Sequence, residues 1–151
     1  MKSPKNNVGL IIAEEHSGFT GVWKEGDFSG TWLSGRFVKG TFTGVWKDGV
    51  WQDGTWKDGH WFAGEWRNGM WLHGFWRGGT WHNGDFKSGT WRGGTWNGGT
   101  FSAEVWSTGR WNGGTWKKGM WYGGEWYGGE WIFGHWENGT WHDGTWYNGY
   151  W

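Results

Sequence analysis

Residues 44–63 read GVWKD GVWQD GTWKD GHWFA, which is four copies of a five-residue unit, G-x-W-x-x. From position 46 to position 151 an aromatic residue falls at every fifth position, and only Phe86 and Phe101 replace tryptophan. A glycine precedes each of these aromatic residues by two positions, with Glu104 as the one exception. A period this regular indicates a repeat architecture, which has to be established before any local motif is interpreted.

The composition excludes several classes of protein. The 151 residues include 34 Gly, 22 Trp and no Cys, with 14 basic and 14 acidic residues. Disordered chains contain few aromatic residues, so this chain is predicted to fold, and its length fits one domain. The balanced charge removes the long-range field that nucleic-acid binding uses. The apolar run from Val8 to Ala13 is too short for a signal sequence or a membrane span, so we predict neither a nucleic-acid nor a membrane partner.

The repeat divides the chain into three segments. Residues 1–17 lie outside the repeat and are predicted to form an N-terminal cap, because the end of a repeat stack exposes core and unpaired strand. Residues 18–45 carry irregular repeats, with aromatic residues spaced by four or five positions. Residues 46–151 form the regular pentad body.

Two architectures fit a five-residue period. Side chains alternate faces along a strand, so the Gly and the Trp of one unit point to one side and the residues flanking the Trp point to the other. The first architecture is a hairpin meander, which the frequent Asp-Gly and Asn-Gly steps favour. The second is a β-solenoid in which each pentad forms one side of a coil, with Trp inside and Gly leaving room beside the indole. An open meander would expose more than twenty Trp on one surface, so we predict the all-β solenoid.

We call the glycine two positions before each aromatic residue the register Gly. The residue just before each register Gly indicates how many sides a coil has. Sorted every fifteen residues, one set contains only residues that tolerate a positive φ. The next set mostly does not, and Phe86 and Phe101 are also fifteen residues apart. The sequence therefore predicts three-sided, fifteen-residue coils in which one corner uses a left-handed turn throughout. The first set consists of Asp53, Asn68, Asn83, Gly98, Gly113, Gly128 and Asp143.

Three resemblances rest on these units. Gly54-Thr55-Trp56-Lys57-Asp58 resembles the pentapeptide-repeat family, whose coils place a small residue two before a central Leu or Phe; this resemblance implies four-sided coils. Gly64-Glu65-Trp66-Arg67-Asn68-Gly69 is similar to the start of a MORN repeat, which implies a hairpin meander. Gly94-Thr95-Trp96-Asn97-Gly98 looks like the Gly/aromatic pentads in structural proteins of marine tailed phages, which implies a virion component.

The sequence contains no arrangement typical of catalysis or metal binding. No two of the six His have a metal-ligand spacing such as His-x-His. Glu125 and Glu130 could act as an acid and a base, but successive sides of a coil point their outward groups in different directions. We therefore expect no enzyme activity, no metal and no cofactor. Glu104 is expected to bulge outward with Ala103 as an insertion-like corner.

The repeat register assigns residues to the core and to a possible interface. One column of outward residues carries no charge and is enriched in interface-prone types. The chain also ends on a register Trp, which we expect to leave an open rung. The core residues are predicted to include Trp46, Trp51, Trp56, Trp61, Trp66, Trp71, Trp116, Trp121 and Trp126. The possible interface consists of His60, Phe75, Thr90, Val105, Met120, His135, Tyr150 and Trp151.

The sequence thus predicts a non-enzymatic structural protein, a rigid Trp-cored rod. Such a rod would assemble with copies of itself or within a larger particle, as a fibre or virion component. The alternative is a monomeric binding module that recognises a glycan or a protein through outward aromatic residues such as Tyr122, Tyr127 and Tyr147.

Overall fold

Parallel strands are the regular secondary structure of the described residues. A computed structural model describes residues 6–7 and 15–151 of the chain. The described residues contain 23 strands and no helix, and most strands are two residues long, an outward residue followed by the register aromatic. The strands are β1 Asn6–Asn7, β2 Glu15–Trp23, β3 Asp27–Phe37, β4 Thr41–Trp46, β5 Val50–Trp51, β6 Thr55–Trp61, β7 Glu65–Trp66, β8 Met70–Trp71, β9 Phe75–Trp76, β10 Thr80–Trp81, β11 Asp85–Phe86, β12 Thr90–Trp91, β13 Thr95–Trp96, β14 Thr100–Phe101, β15 Val105–Trp106, β16 Arg110–Trp111, β17 Thr115–Trp116, β18 Met120–Trp121, β19 Glu125–Trp126, β20 Glu130–Trp131, β21 His135–Trp136, β22 Thr140–Trp141 and β23 Thr145–Trp146.

The strand register confirms the solenoid. In the regular body every rung pairs in parallel with the rung fifteen residues later, as Trp66 does with Trp81 and Trp81 with Trp96. Backbone hydrogen bonds join successive coils, for example from Thr80 N to Gly64 O at 2.9 Å. The strands wind through about nine turns. Each coil of the body therefore contains three pentads. Parallel pairing excludes the hairpin meander, and the fifteen-residue interval excludes the four-sided coil of the pentapeptide-repeat resemblance.

The first described coils are shorter than those of the body. Asp27 pairs with Thr41 and Trp32 with Trp46, an interval of fourteen residues, and the interval becomes fifteen after a register shift between Phe42 and Thr43. Below them, β1 pairs in parallel with Val22 and Trp23. Most of the predicted N-terminal cap, including residues 8–14, lies outside the described residues.

The register aromatics form three ladders of stacked rings along the axis. Trp66 and Trp81, one coil apart, have ring centroids 4.6 Å apart and planes 6° from parallel. Neighbouring rings within a coil meet edge to face, as Trp61 and Trp66 do at 5.9 Å and 72°. Both geometries are those that aromatic quadrupoles favour, and each buried ring removes about 150–250 Å² from water. This packing explains how a core of three rings per coil can be stable with few aliphatic residues.

We name each face of the coil after one of its register tryptophans. The rings of a face point inward, and the residues immediately before and after each ring point outward. The Trp61 face includes Trp46, Trp61, Trp76, Trp91, Trp106, Trp121 and Trp136; the Trp66 face includes Trp51, Trp66, Trp81, Trp96, Trp111, Trp126 and Trp141; the Trp56 face includes Trp56, Trp71, Phe86, Phe101, Trp116, Trp131 and Trp146.

Candidate assembly surface

The backbone conformation at the corners, where the residue before each register glycine lies, differs from the sequence prediction. Within the described residues no residue other than glycine has a positive φ. Gly79, a register glycine, has a φ of +103°, whereas its neighbour Gly78 at the corner position does not have a positive φ. The predicted left-handed turn at one corner set is therefore wrong, because the register glycine takes the left-handed conformation on every face.

The glycine is also required for a different reason from the one predicted. A Cβ on Gly79 would lie 2.3 Å from the carbonyl oxygen of Gly64, the register glycine one coil below. A Cβ on Gly78 would meet only Phe62 O, at 3.4 Å. The backbone of the preceding coil, rather than an indole ring, leaves no space for a side chain at Gly79.

Indole N–H groups on two faces bond to corner residues of the next coil. On the Trp61 and Trp66 faces, eight indoles donate to the backbone carbonyl of a corner residue seventeen positions later, as Trp61 does to Gly78 and Trp66 to Asn83, both at 3.1 Å. Four other buried indoles on these faces have no partner among the described residues: Trp91, Trp96, Trp121 and Trp126. The accepting corner residue is always Ala, Asn or Gly. These bonds tie the indoles of one coil to the corners of the next.

The Trp56 face lacks this hydrogen bond. Trp56, Trp71, Trp116 and Trp131 are buried, and their Nε1 atoms have no hydrogen-bond partner among the described residues. Phe86 and Phe101 belong to this face. Within the regular body, phenylalanine therefore replaces tryptophan only on the one face where none of the buried indole N–H groups makes a hydrogen bond, so the replacement forfeits none.

Glu104 replaces a register glycine, is exposed, and is accommodated without an inserted residue. The pairs Phe86–Phe101 and Thr90–Val105 on either side of it keep the fifteen-residue interval, so the predicted insertion-like bulge is wrong in register. Its carboxylate accepts hydrogen bonds from the Ser88 hydroxyl at 2.9 Å and from Gly89 N at 2.8 Å, one coil below. Partial burial opposes ionisation of Glu104, but the hydrogen bonds from Gly89 and Ser88, the Glu104 backbone and the charge of Lys118 together outweigh it and lower the pKa of the carboxyl.

We expect the Glu104→Gln variant to lose a small amount of stability at neutral pH, about 0.5 kcal/mol, as is usual for an exposed charged contact. Because the folded pKa is depressed, the stabilisation is present above the unfolded pKa of about 4.3 and disappears as the pH falls through the folded pKa. Urea unfolding at pH 7 and pH 3 measures this difference. The difference between wild type and variant should vanish at pH 3; an equal difference at both pH values would contradict this role of the carboxylate.

The outward side of the Trp66 face is polar and internally hydrogen-bonded. Glu65 contacts Arg67 at 3.7 Å and His82 at 3.1 Å. The Asn112 side-chain amide donates to Asn97 Oδ1 at 2.8 Å. Further along the rod, Tyr127 donates its hydroxyl proton to Glu125, which raises the pKa of the tyrosine. This face therefore resembles a solvated surface.

The Trp61 face carries aromatic and cationic side chains. His60 and Phe75 stack with ring centroids 5.1 Å apart. Lys47 Nζ lies 4.6 Å from the Phe62 ring centroid, and the Arg77 guanidinium lies 5.2 Å from it on the neighbouring coil. The predicted uncharged column is continuous along this face in the structure, with the order His60, Phe75, Thr90, Val105, Met120, His135 and Tyr150.

The exposed large apolar residues avoid the Trp66 face. Among residues 18–151 eleven such side chains are exposed, and none of them flanks a ring of the Trp66 face. Phe133 lies at the corner between the Trp56 and Trp61 faces, and Trp151 is a register residue on the last coil. The outward ones are Leu33, Phe62, Phe75, Tyr122 and Tyr150 on the Trp61 face and Met70, Leu72, Ile132 and Tyr147 on the Trp56 face. The rod thus has one polar face and two faces with apolar side chains.

The last coil of this 151-residue chain exposes part of the ring ladders. Trp136, Trp141 and Trp146 are only partly buried, and Trp151 is 84% exposed. Together with Glu137 they line a cavity of about 570 Å³. The nine tryptophans predicted as core are all fully buried by comparison.

The side chains considered for catalysis or metal binding do not lie together in one site. Glu125 and Glu130 lie on the Trp66 and Trp56 faces, respectively. No group of His, Asp and Glu within the described part of the chain could hold a metal ion. None of the described residues forms a helix that is long and apolar enough to cross a membrane.

Sequence reasoning missed the second outward column of the Trp61 face, the residues after each ring. This column contains Arg77, Arg92, Tyr122 and Glu137 together with Lys47, Phe62 and Ser107. Sorting the residues after Trp by the same interval of fifteen would have grouped them.

No protein-family model, no curated protein and no solved structure matches this chain. The fold and the surface therefore provide the basis for a functional proposal.

Proposed function

We propose that this chain is a non-enzymatic structural rod that assembles with copies of itself or within a larger particle, such as a fibre or a virion. The proposal rests on the uneven distribution of exposed apolar side chains. Large apolar patches on soluble proteins mark interaction sites, and aromatic residues and Met are enriched in interfaces. A rod with one polar face and two faces that carry exposed apolar side chains has a surface suited to contact along its length.

The core geometry supports a mechanical role. The three ring ladders fill the interior, and coil-to-coil hydrogen bonds run along every face, for example from His82 N to Trp66 O at 2.8 Å. A stacked core with nearest-neighbour contacts lets a repeat protein serve as a continuous spacer.

The alternative, a monomeric glycan or protein module, has weaker support. Sugars stack on the open faces of aromatic rings, but several outward rings of the rod stack on one another, as His60 and Phe75 do at 5.1 Å. Tyr127 is covered by Arg110 at 4.3 Å on one coil and by His142 at 4.4 Å on another. Tyr122 and Tyr147 are more exposed, but they lie on the Trp61 and Trp56 faces and do not form one platform.

Sedimentation velocity combined with negative-stain imaging of the 151-residue chain tests the proposal. We expect species heavier than the 17.5 kDa chain. Met120→Glu places a charge on the apolar column and should weaken assembly by about tenfold or more, because desolvating an unpaired charge is costly. The matched control, Thr95→Glu on the polar Trp66 face, should leave the mass unchanged. A monomer at all concentrations would contradict the proposal and would direct the work to a glycan-binding screen.

A further inference from the structure

We propose that the Trp61 face pairs with the same face of a second copy, with the two rod axes antiparallel. This inference rests on the proposed function and names the partner and its orientation. A two-fold interface requires a surface that is complementary to itself, so that each residue meets its counterpart across the axis.

The charged residues of the Trp61 face are arranged so that the face is complementary to itself. Its outward cations, Lys47, Arg77 and Arg92, all precede Ser107, and its one outward carboxylate, Glu137, follows it. Arg77 and Glu137 lie two coils on either side of Ser107, since one coil is fifteen residues. Consider a two-fold axis that lies in the plane between the two faces, perpendicular to the rod axis and at the height of Ser107. This axis places Arg77 of each copy opposite Glu137 of the other.

The same axis also pairs other positions on these five coils. Arg92 and Tyr122 lie one coil on either side of Ser107, so a guanidinium meets an aromatic ring, as Arg110 and Tyr127 do within the chain at 4.3 Å. In the uncharged column Val105 lies beside the axis and meets its own counterpart. Thr90 then opposes Met120, and Phe75 opposes His135. This arrangement brings no two like charges together.

A parallel arrangement of the two rods is less compatible with these charges. At equal heights it would place the column after the rings opposite the uncharged column of the other copy, so Arg77 would face Phe75, Glu137 would face His135, and the contact between Arg77 and Glu137 would be lost. Within one chain Glu137 contacts His135 at 3.0 Å, and Arg77 packs over the rings of Phe62 and Phe75. All of these groups remain at the surface and can meet a second copy.

The small area of the Trp61 face predicts a dimer of low affinity. Seven coils span about 34 Å, and one pentad is at most about 16 Å wide. Each copy would bury roughly 500 Å², or about 1,000 Å² for the pair, which is the lower limit for a specific interface. The pairing should therefore depend on concentration over the micromolar range.

A charge-exchange experiment on the full 151-residue chain tests the pairing. Arg77→Glu and Glu137→Arg should each raise the dimer Kd by about tenfold, and the double variant should return it to within about threefold of wild type. The two residues are four coils apart in one chain, about 19 Å, so restoration can only come from contact between copies. Arg67→Glu on the polar Trp66 face is the matched control and should leave the Kd unchanged. Near-UV circular dichroism of the stacked rings checks that each variant folds.

Cysteine crosslinking tests the orientation independently, because the chain has no native cysteine. Val105→Cys should form a disulfide between two copies, whereas Phe75→Cys should not, since His135 of the other copy lies opposite it. Crosslinking of Phe75→Cys, or no crosslinking of Val105→Cys, would overturn the inference. If the single charge variants assemble like wild type, or the double variant does not recover, the antiparallel pairing is wrong while the assembly proposal stands. A chain that is monomeric throughout would overturn both.

Discussion

Replacing Gly79 with alanine is expected to lower the free energy of unfolding by about 3 kcal/mol. Alanine at a φ of +103° is strained by about 1–3 kcal/mol. Its Cβ would also lie 2.3 Å from Gly64 O, so the two coils would have to separate. Both effects act in the folded state, and the backbone of Gly64 cannot move without disturbing the hydrogen bond from Thr80 N to Gly64 O. Urea unfolding followed by circular dichroism measures the change.

The adjacent glycine provides the matched control. Gly78 has no positive φ, and an added Cβ would remain at an ordinary distance from its neighbours. Gly78→Ala should therefore be neutral or should stabilise the chain by about 0.4–1 kcal/mol, because alanine reduces the entropy of the unfolded state. Equal losses for the two variants would contradict the assignment of the steric role to the register glycine alone.

Replacing Trp66 with phenylalanine should destabilise the rod more than the same change at Trp71. Both rings are fully buried, so both variants lose packing and apolar area, which costs about 1–2 kcal/mol. Trp66→Phe also leaves the carbonyl oxygen of Asn83 without its indole donor, a further loss of about 1–3 kcal/mol. Trp71→Phe instead removes a buried N–H group that has no partner among the described residues.

The difference in unfolding free energy between these two variants is the quantity to measure, because common losses cancel in it. Unfolding followed by the fluorescence of the remaining tryptophans at matched urea concentrations gives this difference. Unfolding of repeat arrays can deviate from two-state behaviour, so coincidence of the fluorescence and circular dichroism transitions should be checked for each variant. A Trp71 variant as unstable as the Trp66 variant would show that the indole hydrogen bonds contribute little.

The sequence correctly aligned one uncharged outward column, whose role as an interface stays a prediction, but the charged column beside it was not recognised. His60, Phe75 and Met120 share one column because the coil contains fifteen residues, an interval that the corner residues indicated. The reason assigned to that interval was wrong, since no corner residue other than glycine has a positive φ and the register glycine takes that conformation on every face. The cations and the carboxylate on the same face could have been aligned from the sequence by sorting the residues after each ring by the same interval.

The amino-acid sequence by itself determined the strands, the inward direction of Trp and the solenoid, because a strict period of five combined with alternating faces leaves few ways to bury 22 indoles. Only the tertiary structure decided which atom excludes a side chain at Gly79, why Phe86 is accepted in place of Trp, and how Glu104 fits without an insertion. All three depend on contacts between residues about fifteen positions apart on successive coils. A five-residue period is compatible with coils of fifteen or twenty residues, so these contacts are set by how the coils stack and not by the repeat unit itself.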